Sequence, residues 1–351
     1  CIMKMLNNIN SNSMKAKGML RKLMTVLLLI TFCCVSAQTN KLRFDSNKQF
    51  KIVQFTDLHY VNGDNRSQLI LDNIHAVLKA EKPELVVLTG DIVTGGGDRR
   101  IGLREVLEAI SSHKVPFAVT FGNHDSEGNM TRLELLAEAQ TFPYNLSGTT
   151  KGITGVTNYI LPVLSSDGGN KPAALLYVFD SNTYYFDKEI SEYDNIHFDQ
   201  IAWYRENSMR YTKENNNVPV PAIAFFHIPL PEYNYAIANK QGYWSGTRKE
   251  WGGESLINSG LFSSFLDMKD MMATFVGHDH DNDYAIYFHG ILLTYGRFSG
   301  CNTTYNNLKP NGGRVIILSE GVRKFRTYVR LRTGEVINDV EYPDYFLPQK
   351  K

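Results

Sequence analysis

From Leu42 onward the chain switches repeatedly between two hydrophobic periods. Short continuous apolar runs read as buried strands, and longer stretches place apolar residues at helical spacing. Lys51 to Thr56 predicts a strand that stops at Asp57-Leu58-His59. Ser67 to Lys82 predicts a helix with Leu69, Ile70, Ile74, Val77 and Leu78 on one face, closed by Pro83. Leu85 to Thr89 predicts a second strand, which stops at Gly90-Asp91. Arg99 to Ser112 predicts a second helix through Ile101, Val106, Leu107 and Ile110. The apolar run Val115 to Phe121 then stops at Gly122-Asn123-His124-Asp125, where Gly122 is expected to let the backbone turn sharply.

The second half is richer in strands. Asn158 to Leu164 and Leu175 to Asp180 pair across the turn-forming Ser165 to Gly169. A helix is expected at His197 to Tyr211, with Ile201, Trp203 and Tyr204 inward. Ala222 to Phe226 forms a buried strand ending at His227. Glu232 to Gly253 is aromatic and polar without a period, and reads as a long loop whose Tyr233, Tyr235, Tyr243, Trp244 and Trp251 shape specificity or pack on the core. A helix at Leu256 to Asp267 leads to a strand at Ala273 to Val276, which stops at Gly277-His278-Asp279-His280. Short strands close the chain at Ala285 to Phe288, Ile291 to Tyr295, Val315 to Leu318 and Lys324 to Arg332. Strand, polar loop and helix in repetition predict an α/β (α+β) layered fold with functional groups at the carboxyl ends of strands. No repeat or linker divides residues 38–351, so one domain is expected there.

Composition narrows the partners. The chain has 351 residues and a formal charge of +1, with no basic run, so nucleic acid is not expected and a phosphorylated small molecule or ester fits better. Nothing in the sequence points to a protein partner. Lys15, Lys17, Arg21 and Lys22 precede the apolar stretch Leu23 to Val35, and Val35-Ser36-Ala37 offers a cleavage site. Residues 1–37 therefore read as a signal peptide, with residues 1–13 a spurious extension if Met14 is the start. A secreted or periplasmic protein cleaved near Ala37 is expected, without a stable membrane span. A lipid anchor at Cys33 or Cys34 is disfavoured by the bulk of Phe32. Cleavage leaves Cys301 alone, so no internal disulfide staples the mature chain.

The strand ends supply the chemistry. Asp57, His59, Asp91, Asn123, His124, His227, His278 and His280 all follow apolar strands, and they include five of the nine histidines. Imidazole and carboxylate donors without thiolates suit Fe, Mn or Zn. The set is too large for one structural Zn but suffices for two divalent or trivalent ions sharing a carboxylate. Two ions about 3.5–4 Å apart clamp the attacking and leaving oxygens of an in-line displacement, which points to phosphate-ester hydrolysis.

Asp57-x-His59, Gly90-Asp91, Gly122-Asn123-His124-Asp125, His227 and Gly277-His278-x-His280 resemble, in order and spacing, the signature blocks of the calcineurin-like metallophosphoesterase superfamily. Gly277 to Asp283 resembles the purple-acid-phosphatase-like branch that lacks the metal-binding tyrosine. The resemblance implies a four-layer fold of two packed mixed β-sheets flanked by helices, and hydrolysis of monoesters by a metal-bridging hydroxide. It assigns Asp57, His59 and His280 to one metal and Asn123, His227 and His278 to the other, with Asp91 bridging. His124 would meet the substrate phosphate or protonate the leaving oxygen. Asp125 would orient His124 or cap the loop. Ile92-Val93-Thr94-Gly95 stands where the purple enzymes carry their tyrosine, so neither colour nor a preference for trivalent iron is implied. Arg297 and Asn282 are candidate substrate contacts; Arg297 is suited to clamp a phosphate oxygen unless it is a surface residue. The alternatives are a phosphodiesterase or nuclease on the same core, and a non-catalytic metal-binding scaffold.

Overall fold

The computed structural model describes residues 41–239 and 243–347. The expected signal peptide and cleavage site, with Cys33 and Cys34, lie outside the described residues. From Lys41 onward the chain forms one compact unit. Among the described residues no helix is long and apolar enough to cross a membrane.

Strands β1 (Gln49–Phe55), β2 (Leu85–Thr89) and β3 (Phe117–Thr120) run parallel and are joined by helices α1 (Gln68–Glu81) and α2 (Arg99–Ser111). A short helix α3 (Arg132–Ala139) follows, then β4 (Tyr159–Leu164), β5 (Pro172–Val178), α4 (Phe198–Glu214), β6 (Ala222–Phe225), α5 (Glu232–Ala238) and β7 (Trp244–Ser245). The remainder comprises α6 (Leu261–Met268), β8 (Met271–Val276), β9 (Ala285–Phe288), β10 (Ile291–Tyr295), β11 (Gly312–Ser319), β12 (Phe325–Leu331) and β13 (Val336–Tyr342). One sheet has the order β13-β12-β11-β1-β2-β3 and the other β4-β5-β6-β8-β10-β9-β7. Both are mixed. In the second, β5, β6, β8 and β10 are parallel.

Alternating side chains divide the interior into three apolar layers. Val53, Phe55, Val86, Leu88 and Val119 face α1, α2 and α3, meeting Ile74, Val77, Leu103, Leu107 and Leu135. On the far side, Tyr177, Ala224 and Leu293 face Ile201, Tyr204, Tyr233 and Phe265 of α4, α5 and α6. Between the sheets Phe50, Ile52 and Val87 pack on Leu176, Phe225, Phe275 and Leu292. Each such side chain stabilises the fold by roughly 1.5–3 kcal/mol relative to exposure. This is the expected four-layer arrangement.

Several local expectations change. The helix expected from Leu256 begins only at Leu261, after Gly260 takes the left-handed φ of 85°. The long loop at 232–253 contains α5 and β7 among its described residues. Helix α3 was signalled only by its capping box, in which Thr131 and Glu134 bond each other's backbone. Ile101 is exposed, and Leu103 takes its place in the core. Strand β13 carries polar residues on its exposed face and so lacks the apolar run that betrays its neighbours.

Candidate metal centre

The functional residues gather where the carboxyl ends of the parallel strands from both sheets meet. Asp57 and His59 follow β1, Asp91 follows β2, and Asn123 and His124 follow β3. His227 follows β6 of the second sheet, and His278 and His280 follow β8. Two groups able to hold a cation result: Asp57, His59 and His280, and Asp91, His227 and His278, all buried.

The loops are fixed by backbone hydrogen bonds to the same carboxylates. Asp57 accepts from His278 N–H at 2.9 Å, which ties the two sheets together at the site. Asp91 Oδ1 accepts from His124 N–H at 2.9 Å, leaving Oδ2 to face His227 Nε2 at 3.2 Å and His59 Nε2 at 3.5 Å. Asp91 thus stands between the two groups, as a bridging ligand must. Asp57, His59, Asp91 and His278 all have left-handed φ, of 53°, 48°, 50° and 78°. Gly122 is required for a reason other than turning: a Cβ there would lie 2.2 Å from Asp91 Oδ1.

The donor atoms fit cations. His280 Nδ1–H donates to the Tyr305 carbonyl at 2.8 Å, so its Nε2 lone pair points at His59 Nε2, 2.9 Å away. His227 Nδ1–H donates to the Thr89 carbonyl at 2.8 Å. Its Nε2 then faces Asn123 Oδ1 at 3.2 Å and His278 Nδ1 at 3.3 Å as well as Asp91. With Nδ1 of His227 and His280 bonded to carbonyls, their Nε2 atoms are turned inward, where they are available to a cation. Electrostatics agree. Burial alone would suppress protonation of His227, but Asp91 and Asp57 push its pKa up to about 9. Burial also disfavours the Asp91 carboxylate, yet His227 and His59 hold it well below the usual range. His59 and His278 are pushed well below normal by burial and stay neutral, as ligands must.

His124 is half-exposed beside the His59 ring, at 5.4 Å between centroids. Its partner is not Asp125. The Asp125 carboxylate accepts from Ile92, Val93 and Gly122 N–H at 2.8, 3.0 and 2.8 Å, tying the β2 loop to the β3 loop. Asp125 is therefore the loop cap, and His124 Nδ1–H donates to Glu127 Oε2 at 2.7 Å. A carboxylate three residues on was the available signal.

Arg297 is committed elsewhere, and Asn282 is committed through its amide oxygen, while its buried Nδ2 has no partner among the described residues. Arg297 is buried, with Nη1 donating to Asp283 Oδ2 and Nη2 to the Pro310 carbonyl, each at 2.7 Å. It is neither a surface residue nor free to clamp phosphate. Asn282 is fully buried, and its Oδ1 accepts from Lys249 N–H and Glu250 N–H at 3.2 and 3.3 Å. It anchors the 248–250 loop. Asp279, passed over as a spacer, accepts from Tyr295 O–H at 2.6 Å and Gly253 N–H at 2.8 Å; burial raises its pKa to about 8. It draws the 252–254 loop over His278, where a Cβ on Gly253 would lie 2.8 Å from Nε2. Tyr305 stacks on His280 at 4.2 Å, and Tyr193 meets His278 edge-on at 4.3 Å.

Comparison with known proteins agrees with this architecture. The chain is 33% identical over 310 residues to the Arabidopsis thaliana protein named "probable inactive purple acid phosphatase 29", covering 78% of this chain and 79% of that one. It is 31% identical to the phosphatase DCR2 of Saccharomyces cerevisiae over 72% of this chain, but only 47% of the yeast protein. Among solved structures, a dimetal phosphatase from Danio rerio superposes with a TM-score of 0.57 at 14% identity, covering 83% of this chain and 98% of that chain; this likeness shows the fold. The model of the calcineurin-like phosphoesterase family matches residues 50–282, from β1 to just past His280, and the chain belongs to that family.

Proposed function

We propose that the protein is a dinuclear metal-dependent phosphoesterase that hydrolyses phosphate monoesters. The observation that carries this reading is the placement of Asp91 Oδ2 between His59 and His227, with half-exposed His124 at the rim. When bound, a pair of ions supplies Lewis acidity toward phosphoryl oxygens and lowers the pKa of water. The chain's own part is to hold Asp57, His59 and His280 on one side and Asn123, His227 and His278 on the other, with Asp91 between them. With Nδ1–H held by Glu127, His124 acts as the imidazolium, whose Nε2–H donates to a phosphate oxygen or passes to the leaving oxygen, leaving neutral imidazole. The leader sequence supports an exported enzyme acting outside the cytoplasm.

The word "inactive" in the names of the plant relatives favours the scaffold reading for those proteins. In this chain every donor position and His124 is filled by a competent residue. The test is metal analysis of the mature protein together with turnover of an aryl phosphate monoester and an aryl phosphate diester, using Asp91→Asn as control. About two ions per chain and monoester cleavage lost in the control are expected. Preference for the diester would move the assignment to phosphodiesterase. Bound metal without turnover on either ester would favour the scaffold.

A further inference from the structure

We infer that Glu127 and Tyr184 are positioning residues that lock the proton-moving His124 to the metal-side amide of Asn123, and that this device suits the enzyme to phosphate esters of alcohols. The inference rests on the phosphoesterase reading above and goes beyond the residues it used.

Four polar groups form one unbranched chain. His124 Nδ1–H donates to Glu127 Oε2 at 2.7 Å, and Tyr184 O–H donates to Glu127 Oε1 at 2.5 Å. Asn123 Nδ2–H donates to the Tyr184 oxygen at 3.1 Å. Both carboxylate oxygens of Glu127 are therefore occupied, which fixes its rotation and with it the plane of the imidazole. The tyrosine also settles the amide. With Nδ2 turned toward the hydroxyl, Asn123 Oδ1 is left facing His227 Nε2, the orientation a metal ligand requires. Without Tyr184 nothing in this chain of bonds distinguishes the two ends of that amide.

Tyr184 is itself held from a separate segment. It forms an isolated β-bridge with Tyr193, and the two rings stack at 5.8 Å. Tyr193 packs edge-on against His278. The segment from Tyr184 to Tyr193 thus touches one residue of the catalytic pair and two on the metal side. Glu127 and Asn123 are coupled to Tyr184 by hydrogen bonds, and His278 is reached through the ring contacts of Tyr193.

The chemistry says when such a device matters. Water forms a new P–O bond and gives up a proton to solvent or to the phosphate product, while the ester P–O bond breaks and its electron pair stays on the leaving oxygen. If that oxygen becomes a stabilised phenolate, no proton is needed. If it becomes an alkoxide, His124 must deliver the proton to it as the bond breaks. A rigidly held imidazole therefore helps alcohol esters far more than nitrophenyl esters.

The experiment compares the full-length mature enzyme with Glu127→Gln and Tyr184→Phe on an alkyl phosphate and a nitrophenyl phosphate, with metal retention measured against a chelator. For Glu127→Gln, kcat on the alkyl ester is expected to fall about 10²-fold while the nitrophenyl ester changes less than about threefold and metal content is unchanged. Glu127→Asp, which shortens but keeps the carboxylate, is expected to recover part of the alkyl turnover. Tyr184→Phe is expected to weaken metal retention about 10-fold or more as well. Equal losses on both esters in Glu127→Gln would overturn the role in proton positioning. Unchanged metal retention in Tyr184→Phe would overturn the link to Asn123. If the wild type cleaves neither ester, the phosphoesterase reading fails by itself, and the Tyr184→Phe metal measurement still decides the coupling.

Discussion

His124→Ala is expected to keep both metal ions and lose turnover by about 10²-fold or more, the scale of general acid–base catalysis. Metal retention follows from the geometry: the direct hydrogen bond from residue 124 to the metal-side groups is its backbone N–H to Asp91, which alanine preserves, and Tyr184 still holds the Asn123 amide. The loss in rate follows from removing the one imidazole at the site that is half-exposed and hydrogen-bonded to a carboxylate through Nδ1. Kinetics on an alkyl phosphate monoester, whose leaving oxygen needs the proton, with metal analysis of the same sample check both halves. A variant that has lost its ions would reassign His124 as a ligand.

The second large effect concerns stability. Asp283→Ala is expected to destabilise the fold by about 3–5 kcal/mol, the cost of leaving buried charge without its partner. Asp283 is fully buried and pairs with Arg297 at 2.7 Å. Its carbonyl also accepts from Nη2 of Arg314 at 2.6 Å. Arg314 rises from β11 of the first sheet, also donates to the Tyr295 carbonyl of the second at 2.7 Å, and is among the largest fully buried side chains. Burial lowers its pKa to about 10, against the attraction of Asp283. Without the carboxylate two guanidinium groups share one dry region. Urea denaturation checks the size of the effect, and an unchanged midpoint would show that the triad contributes nothing net. Arg297→Met should likewise shift stability and leave KM alone, unlike the loss expected of a phosphate clamp.

The contrast between Arg297 and the metal ligands explains what could be read from the sequence. The ligands were legible because each had to stand at a strand's carboxyl end, and strands announce themselves as apolar runs such as Leu85–Thr89. Arg297 also follows a strand, but its partner Asp283 sits on another loop, so the pairing depends on the fold rather than on spacing. Asp125 failed in a subtler way. Adjacent side chains in an irregular loop point in unrelated directions, and the one that reaches His124 is three positions on. Tyr184 lies 61 residues from Asn123 and carried no local pattern at all. A layered α/β arrangement was recoverable from the apolar faces of helices α1, α2 and α4, whereas the four-layer form was implied only by the family resemblance. Short elements such as α3 and β7 are stabilised chiefly by tertiary context, which a local period does not record.

The left-handed backbone at Asp57, His59, Asp91 and His278 has an evolutionary corollary. Each such residue is strained by about 1–3 kcal/mol, and glycine or asparagine relieves that strain. Selection for hydrolysis opposes these replacements because they remove donors. Once that selection lapses, the same replacements relieve strain at His59 and His278, whose side chains hold no backbone group, whereas at Asp57 and Asp91 the relief is offset by loss of the carboxylates that fix the loops. A family with this loop geometry is thereby predisposed to produce well-folded members that no longer turn over substrate.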